Sequence, residues 1–321
     1  MTLEIDYESE GFTTGALVAN GPGTLTTSWD ELLAAAVTVG RPNRHYVFRH
    51  GRASSYEALF RWSLVRMALE QRSPRAKRLR RTAAARTLDP SEKGAVSYFL
   101  GLTLCKLFAE RLLDTPWLLH LDVFRPMLNP VLIGRSRPDL VGEMKGGGWV
   151  ALESKGRVNP PDKSTKEKVK DQAQRLASVG GALPAYQIGG ITYFRNDVLQ
   201  FYWRDPEPDP DVRNPIKVNV EQDSWRHYYA PILDLILSNP DRFDRMKQEP
   251  LLMAIEGADI EIGIHPKVLQ ALSEQRWDEA RKIARESELS VSKIPYRADG
   301  IAVVAGASWL KPFEEGRAEN G

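Results

Sequence analysis

Between Asp89 and Asp114 the sequence runs DPSEKGAVSYFLGLTLCKLFAERLLD. Three signals agree on where a helix begins: Asp89 can cap it, Pro90 suits its first position, and Glu92 follows the cap by three residues to complete a capping box. The helix is apolar around most of its circumference, and a helix with so little polar face belongs inside a domain, lying against a sheet. The segments that follow supply that sheet. WLLHLDVFR, PDLVGEM and WVALESKG read as strands, KEKVKDQAQRLASV as a helix, and ITYF and VLQFYW as further strands. The order α-β-β-β-α-β over residues 89–235 predicts an α/β fold.

Two segments flank this core. Residues 1–88 read as a mixed α/β segment: GALVANGPGTLTT is strand and turn material, SWDELLAAAV opens a helix capped by Ser28, and SSYEALFRWSLVRMALEQ repeats apolar residues at helical spacing. The segment ends in RSPRAKRLRRTAAAR, residues 72–86, with seven basic residues and no acid. Such a run is either a phosphate-contacting patch centred on Arg78, Arg80 and Arg81 or a solvated linker. Residues 236–321 read as mostly helical, with PKVLQALSEQ, WDEARKIARES and one late strand, GIAVVAG.

Composition narrows the class. With 44 Lys plus Arg against 42 Asp plus Glu, the net charge of +2 does not by itself announce a nucleic-acid partner, so the distribution of charge must decide. The single cysteine, Cys105, excludes an internal disulfide and, beside Leu104 and Leu107, reads as a buried reduced thiol. MTLEIDYESEG carries acids where a signal peptide carries base, and Lys106 interrupts the longest apolar helix. A cytoplasmic protein with no membrane partner is the expectation. The five histidines show no metal-ligand spacing, and KGGGW reads as a turn rather than a phosphate loop.

The chemistry concentrates in SRPDLVGEMKGGGWVALESKGR, residues 136–157. Side chains alternate across a strand, so Trp149, Ala151, Glu153 and Lys155 share one face and Val150, Leu152 and Ser154 the other. If residue 149 pairs with 143 or with 145 across the glycine turn, Asp139 joins Glu153 and Lys155 on their face; a register one residue different turns it away. Two carboxylates converging from adjacent strands suit a hard cation, Mg²⁺ or Mn²⁺, and Lys155 offsets their repulsion.

RPDLVG followed by ALESKGR resembles the PD-(D/E)XK nuclease superfamily, over residues 89–235 and through the same element order. The resemblance implies a restriction-endonuclease-like core, with a central mixed sheet flanked by helices and additions at both ends. It implies Asp139 and Glu153 as ligands of Mg²⁺ or Mn²⁺, the backbone carbonyl of Ser154 as a third donor, and Lys155 as the partner of the attacking water. Members often carry a glutamine on the following helix, and Gln172 is the one polar residue in the stripe Val169, Gln172, Ala173 and Leu176, although Leu176 stands where one branch has tyrosine. FAERLL is similar to the first helix of Holliday-junction resolvase-like members, which makes Glu110 a candidate helper of the metal site; a surface ion pair with Arg111 or Asp114 explains it equally. Arg157, Lys166 and Lys170 extend the candidate DNA-contacting set around the motif.

The expectation is therefore an Mg²⁺-dependent endodeoxyribonuclease of restriction or phage defence, with DNA as substrate. Further expected partners are a protein of a defence or repair system and a second copy of the chain, because one site per chain favours a dimer for double-strand cutting. The alternative is a non-catalytic nucleic-acid-binding or scaffold subunit that keeps the fold.

Overall fold

Leu3 and Ile5 point inward between polar neighbours, the period-two pattern of a half-buried strand, and they open β1 (Leu3–Glu10). The computed structural model describes residues 2–13, 15–39, 52–73, 75–127, 137–208, 212, 214–286 and 293–313. β1 pairs antiparallel with β2 (Gly21–Thr27), after which Ser28 caps α1 (Trp29–Thr38) by accepting the Glu31 N–H. Next come α2 (Arg52–Ala68), a short pair of strands β3 (Leu69–Glu70) and β4 (Arg80–Arg81), and α3 (Ala83–Thr87).

The long apolar helix is α4 (Pro90–Leu112). Asp89 accepts from the Ser91 and Glu92 N–H groups at 2.7 and 3.2 Å, and the Glu92 carboxylate accepts from the Asp89 N–H, so the capping box forms. β5 (Trp117–His120), a 3-10 turn over Leu121–Met127, β6 (Leu140–Glu143) and β7 (Trp149–Gly156) follow as antiparallel neighbours. A crossover through α5 (Lys163–Gln174) and the short β8 (Leu176–Val179) returns the chain to β9 (Tyr186–Arg195), which lies parallel to β7; β10 (Val198–Arg204) then runs back beside β9. Adding the contact of β1 with β10, which is parallel, the main path of the sheet is β2-β1-β10-β9-β7-β6-β5, with β3 and β4 attached at β10. This is a mixed α/β structure whose central mixed sheet is flanked by helices.

Two of its layers meet unusually closely. A Cβ on Gly156 would overlap the Ser97 carbonyl of α4, one on Gly101 would sit 2.8 Å from the Ser154 hydroxyl, and one on Gly190 would sit 2.7 Å from the Cys105 sulfur. The absent side chains let α4 rest directly on β7 and β9. On the opposite face Val169 of α5 packs with Ile191, Tyr193 and Tyr202.

The remainder comprises β11 (Ile216–Val218), which pairs with β8, then α6 (Arg226–Leu237), α7 (Pro240–Gln248), β12 (Met253–Ile255), β13 (Ile260–Ile264), α8 (Pro266–Ser273), α9 (Trp277–Glu286) and β14 (Ile301–Ala305). Three sequence expectations are revised. Residues 1–88 do not stand apart: β1 completes the central sheet through main-chain pairing with β10, a partner almost two hundred residues away that local pattern does not reveal. LASV leaves the preceding helix, which ends at Gln174, and forms β8, so Leu176 is not part of the helical stripe. The C-terminal segment contains a three-stranded antiparallel sheet, β12-β13-β14, beside its helices.

Gly156→Ala is expected to lower the unfolding free energy by about 3 kcal/mol or more, since the clash is with backbone rather than with a flexible side-chain end. Urea unfolding checks it, and a loss under about 1 kcal/mol would contradict the close packing of α4 on β7.

Candidate metal centre

Glu143 pairs with Trp149 and Leu140 with Leu152 across the glycine turn. This is one of the two registers that bring Asp139 to the face of Glu153 and Lys155. Asp139 begins the hairpin just before β6; its N–H donates to the Leu152 carbonyl at 3.0 Å, and its carboxylate accepts the Ser154 N–H at 3.0 Å. The N–H and C=O of one strand residue leave by the same edge, so the Ser154 carbonyl is directed toward the edge where the Asp139 carboxylate already caps the N–H. The Ser154 side chain lies on the other face, under Gly101 of α4.

Glu153 is buried, with 3% of its surface exposed. One of its oxygens accepts from the Lys155 ammonium at 3.0 Å, while the other, Oε2, is enclosed and has no hydrogen-bond partner among the described residues. Lys155 also donates to the Gln172 side-chain oxygen at 2.7 Å. Gln172 is thereby brought from α5 to the hairpin, in contact with Lys155. A buried acceptor left without a donor costs free energy that a bound cation would recover.

The proton affinities reflect that deficit. Burial pushes the Glu153 carboxyl up to about 8, the Asp139 charge adds to the rise, and Lys155 opposes it. Burial likewise raises Asp139 to about 6, against the Ser154 N–H and Lys155. The donor set of two carboxylates and a strand carbonyl is all oxygen, which fits Mg²⁺ or Mn²⁺ and not a soft metal. Among the described residues no group of three or more His, Cys, Asp or Glu side chains gathers in metal-binding geometry, so a resident ion would depend on this pair, the carbonyl and water.

Glu110 is elsewhere. It sits in a buried ion cluster, 3.0 Å from the Lys106 ammonium and 2.7 Å from Arg297. Burial would raise its pKa, but Arg297 and Lys106 outweigh burial and hold the carboxyl at about 2. Nine residues along a helix are two and a half turns, which takes Glu110 to the opposite side of α4 from Gly101 and the hairpin. The expected assistance to the metal site is replaced by a fully paired structural role.

The basic candidates are also largely occupied. Arg78 pairs with Glu4 and Asp6 at 3.1 and 2.9 Å, Arg80 donates to the Asn196 carbonyl, and Arg81 pairs with Asp197 at 2.7 Å. For Arg78 and Arg81, β1 and the β9–β10 turn supply the acids that the run itself lacks. Lys166 lies 3.8 Å from both Glu8 and Glu10 and over the Tyr202 ring, Arg157 donates to the Thr165 hydroxyl, and Lys170 is half-buried on α5.

Four residues beside the hairpin escaped the sequence reading. Arg137 donates to Asp122 and lies near enough to both Asp139 and Glu153 to lower their proton affinity. Asp122 lies close enough to Asp139 to raise it. His120, buried at the end of β5, is held neutral by burial, with its pKa near 4. Tyr98 of α4 is 41% exposed, and its hydroxyl is pushed above the usual phenol range by partial desolvation first and then by Asp139 and Asp122. The available signal was Arg137, two residues before Asp139 and so on its face of an extended chain.

The chain matches no family profile, no curated protein and no solved structure. No helix among the described residues is long and apolar enough to cross a membrane.

Two outcomes are expected. Asp139 and Glu153 both hold protons more tightly in the fold than when unfolded, so their ionisation costs stability: the benefit is complete in acid and is lost as the pH rises through about 6 and then about 8. In chelator-treated protein the melting temperature should fall between about pH 5 and about pH 9 by more than in Asp139→Asn/Glu153→Gln, and added Mg²⁺ should restore more at the higher pH. Equal pH profiles for the two proteins would contradict this. Second, Glu110→Gln should cost about 3 kcal/mol in urea unfolding by leaving Lys106 and Arg297 under-compensated, with unchanged Mg²⁺ affinity by calorimetry. A weakened ion would return Glu110 to the metal site.

Proposed function

We propose that this chain is a metal-dependent endonuclease that hydrolyses phosphodiester bonds in DNA, built on a restriction-endonuclease-like core of the PD-(D/E)XK kind and serving in restriction or phage defence. The observation that carries the reading is Glu153, buried with one oxygen unpartnered and its proton affinity raised, opposite Asp139 and bonded to Lys155. A structural ion pair would be expected to satisfy both carboxylate oxygens; Glu110, with its two cations, is the example in the same molecule.

In this reading Asp139, Glu153 and the Ser154 carbonyl would hold Mg²⁺ or Mn²⁺. When bound, the ion supplies Lewis-acid polarisation of a phosphoryl oxygen and eases loss of a proton from water. The chain's own residues prepare the rest. Glu153 and Asp139 must shed their protons, so binding of the ion releases protons and strengthens as pH rises. Lys155, gripped by Glu153 and Gln172, has a third of its side chain open to solvent, which leaves its remaining donor capacity for an incoming water or a phosphate oxygen. Holding the ammonium from two sides fixes it before substrate arrives, so little ordering remains for the transition state. Arg137 adds positive charge at the same face, where a phosphate would approach. Tyr98, pushed to about 12, stays protonated as a hydroxyl donor at neutral pH.

Incubating the purified chain with supercoiled plasmid and Mg²⁺ or Mn²⁺ tests the proposal. Lys155→Ala should still bind the ion while cleavage falls by about a thousandfold or more, because a transition-state interaction is lost. Asp139→Asn or Glu153→Gln should weaken the ion and abolish cleavage. Cleavage by Lys155→Ala at the parent rate would defeat the catalytic assignment. Absence of cleavage with either ion, while the ion still binds the carboxylate pair, would favour the non-catalytic subunit.

A further inference from the structure

A cleft of ≈ 850 Å³ lies away from the carboxylate pair, between α2, the β4–α3 segment, the β12–β13 turn and the 3-10 turn at Ala307–Leu310; none of Asp139, Glu153, Lys155 or Gln172 lines it. Its volume is in the range of small-molecule sites, roughly 300–1,000 Å³. Two kinds of surface meet there. Its aromatic lining is Trp62, Trp309 and Phe313; the two tryptophans are almost wholly buried, and Phe313 keeps 43% of its surface exposed. Arg66 and Arg72 give it positive charge; Arg86, also in the lining, is paired with Asp197 at 3.3 Å, and the acids of the lining are Glu70 and Asp259.

One of the two acids is already engaged. Asp259 is occupied in holding the Ser308 N–H at 2.8 Å, at the foot of the 3-10 turn. Arg66 is the centre of the wall: its guanidinium lies 4.1 Å from the Phe313 ring centroid and 5.7 Å from that of Trp309, and one nitrogen is tied to the Ser308 and Lys311 carbonyls. Its other terminal nitrogen, Nη1, is enclosed and has no hydrogen-bond partner among the described residues. Burial lowers the Arg66 pKa, with Glu70 only partly offsetting it, so the charge is incompletely compensated. Arg72 and Arg86 are exposed at the rim, Arg86 paired with Asp197 at 3.3 Å. A flat ring could stack on the exposed Phe313 while an attached anion met Arg72 at the rim; neither half of such a ligand alone would use both surfaces.

We propose that this cleft is a binding site for a planar aromatic anion, and specifically a nucleoside phosphate, separate from the carboxylate hairpin. The assignment does not depend on the nuclease reading, because the cleft shares no residue with that site.

Titration of the full chain, in chelator-containing buffer, with adenosine, guanosine and uridine monophosphates tests it, read by calorimetry and by tryptophan fluorescence from Trp62 and Trp309. At least one monophosphate should bind with a Kd below about 1 mM, more tightly than its own nucleoside and than inorganic phosphate. Ala84→Trp, an exposed position in the lining, fills the cleft and should weaken binding at least about tenfold, and Arg72→Ala at the exposed rim should weaken it about tenfold. Asp139→Asn should bind as the parent does, so failure of the nuclease reading leaves this result untouched. No binding by any of the three, equal binding of nucleoside or phosphate alone, undiminished binding in Ala84→Trp, or loss of binding in Asp139→Asn would each overturn the proposal.

Discussion

The close seating of α4 on β7 and β9 governs the rest of the structure. Gly101, Gly156 and Gly190 remove the side chains that would hold the layers apart, and the helix backbone reaches the strand that carries Glu153, Ser154 and Lys155. One consequence is desolvation. With α4 beneath the hairpin and α5 above it, the strand end that should be wet is enclosed, and the Glu153 carboxyl keeps its proton to about pH 8. Another is rigidity: the Ser154 N–H is fixed on the Asp139 carboxylate, so the two strands cannot slide without breaking the contact that sets their parity.

Two buried acids show what surroundings do to the same chemical group. Glu110 has two cations within 3.0 Å and is held strongly ionised, whereas Glu153 has one lysine, a third exposed, and a carboxylate neighbour and is pushed the other way. Both are almost fully removed from water, so burial does not separate them; compensation does. The first arrangement ties α4 to the segment before β14, because Arg297 comes from that segment and Asp299, two residues on, meets Tyr228 and Tyr229 of α6. The second leaves an unmet demand for positive charge at a strand edge.

The C-terminal segment also grips the hairpin directly. Arg281 of α9 lies 3.5 Å over the Trp225 ring and 4.8 Å over that of Trp117, and it bonds to Glu143 at the end of β6, which Arg285 also reaches at 3.0 Å. Trp225 in turn stacks on Trp149 at the start of β7. The turn end of the hairpin is thus fastened by a cation–aromatic stack, and the opposite end carries the carboxylates.

Much of this was legible in the sequence because it is local. The capping box at Asp89, the apolar circumference of α4, the α-β-β-β-α-β order and the alternation that sets Glu153 with Lys155 all follow from residue spacing along one segment. Even the hairpin parity reduced to two allowed turns, of which the chain uses the 143–149 pairing. What spacing could not supply was pairing between distant segments. The arginines of residues 72–86 look uncompensated in sequence, and only the fold brings Glu4, Asp6 and Asp197 to them. Glu110 faces two cations, and one of them, Arg297, lies far away along the chain; β1 finds β10 in the same manner. Local periodicity fixes which face a side chain takes, but the charge and hydrogen-bond balance at that face is a sum over all neighbours in space, and only the tertiary structure sets that sum.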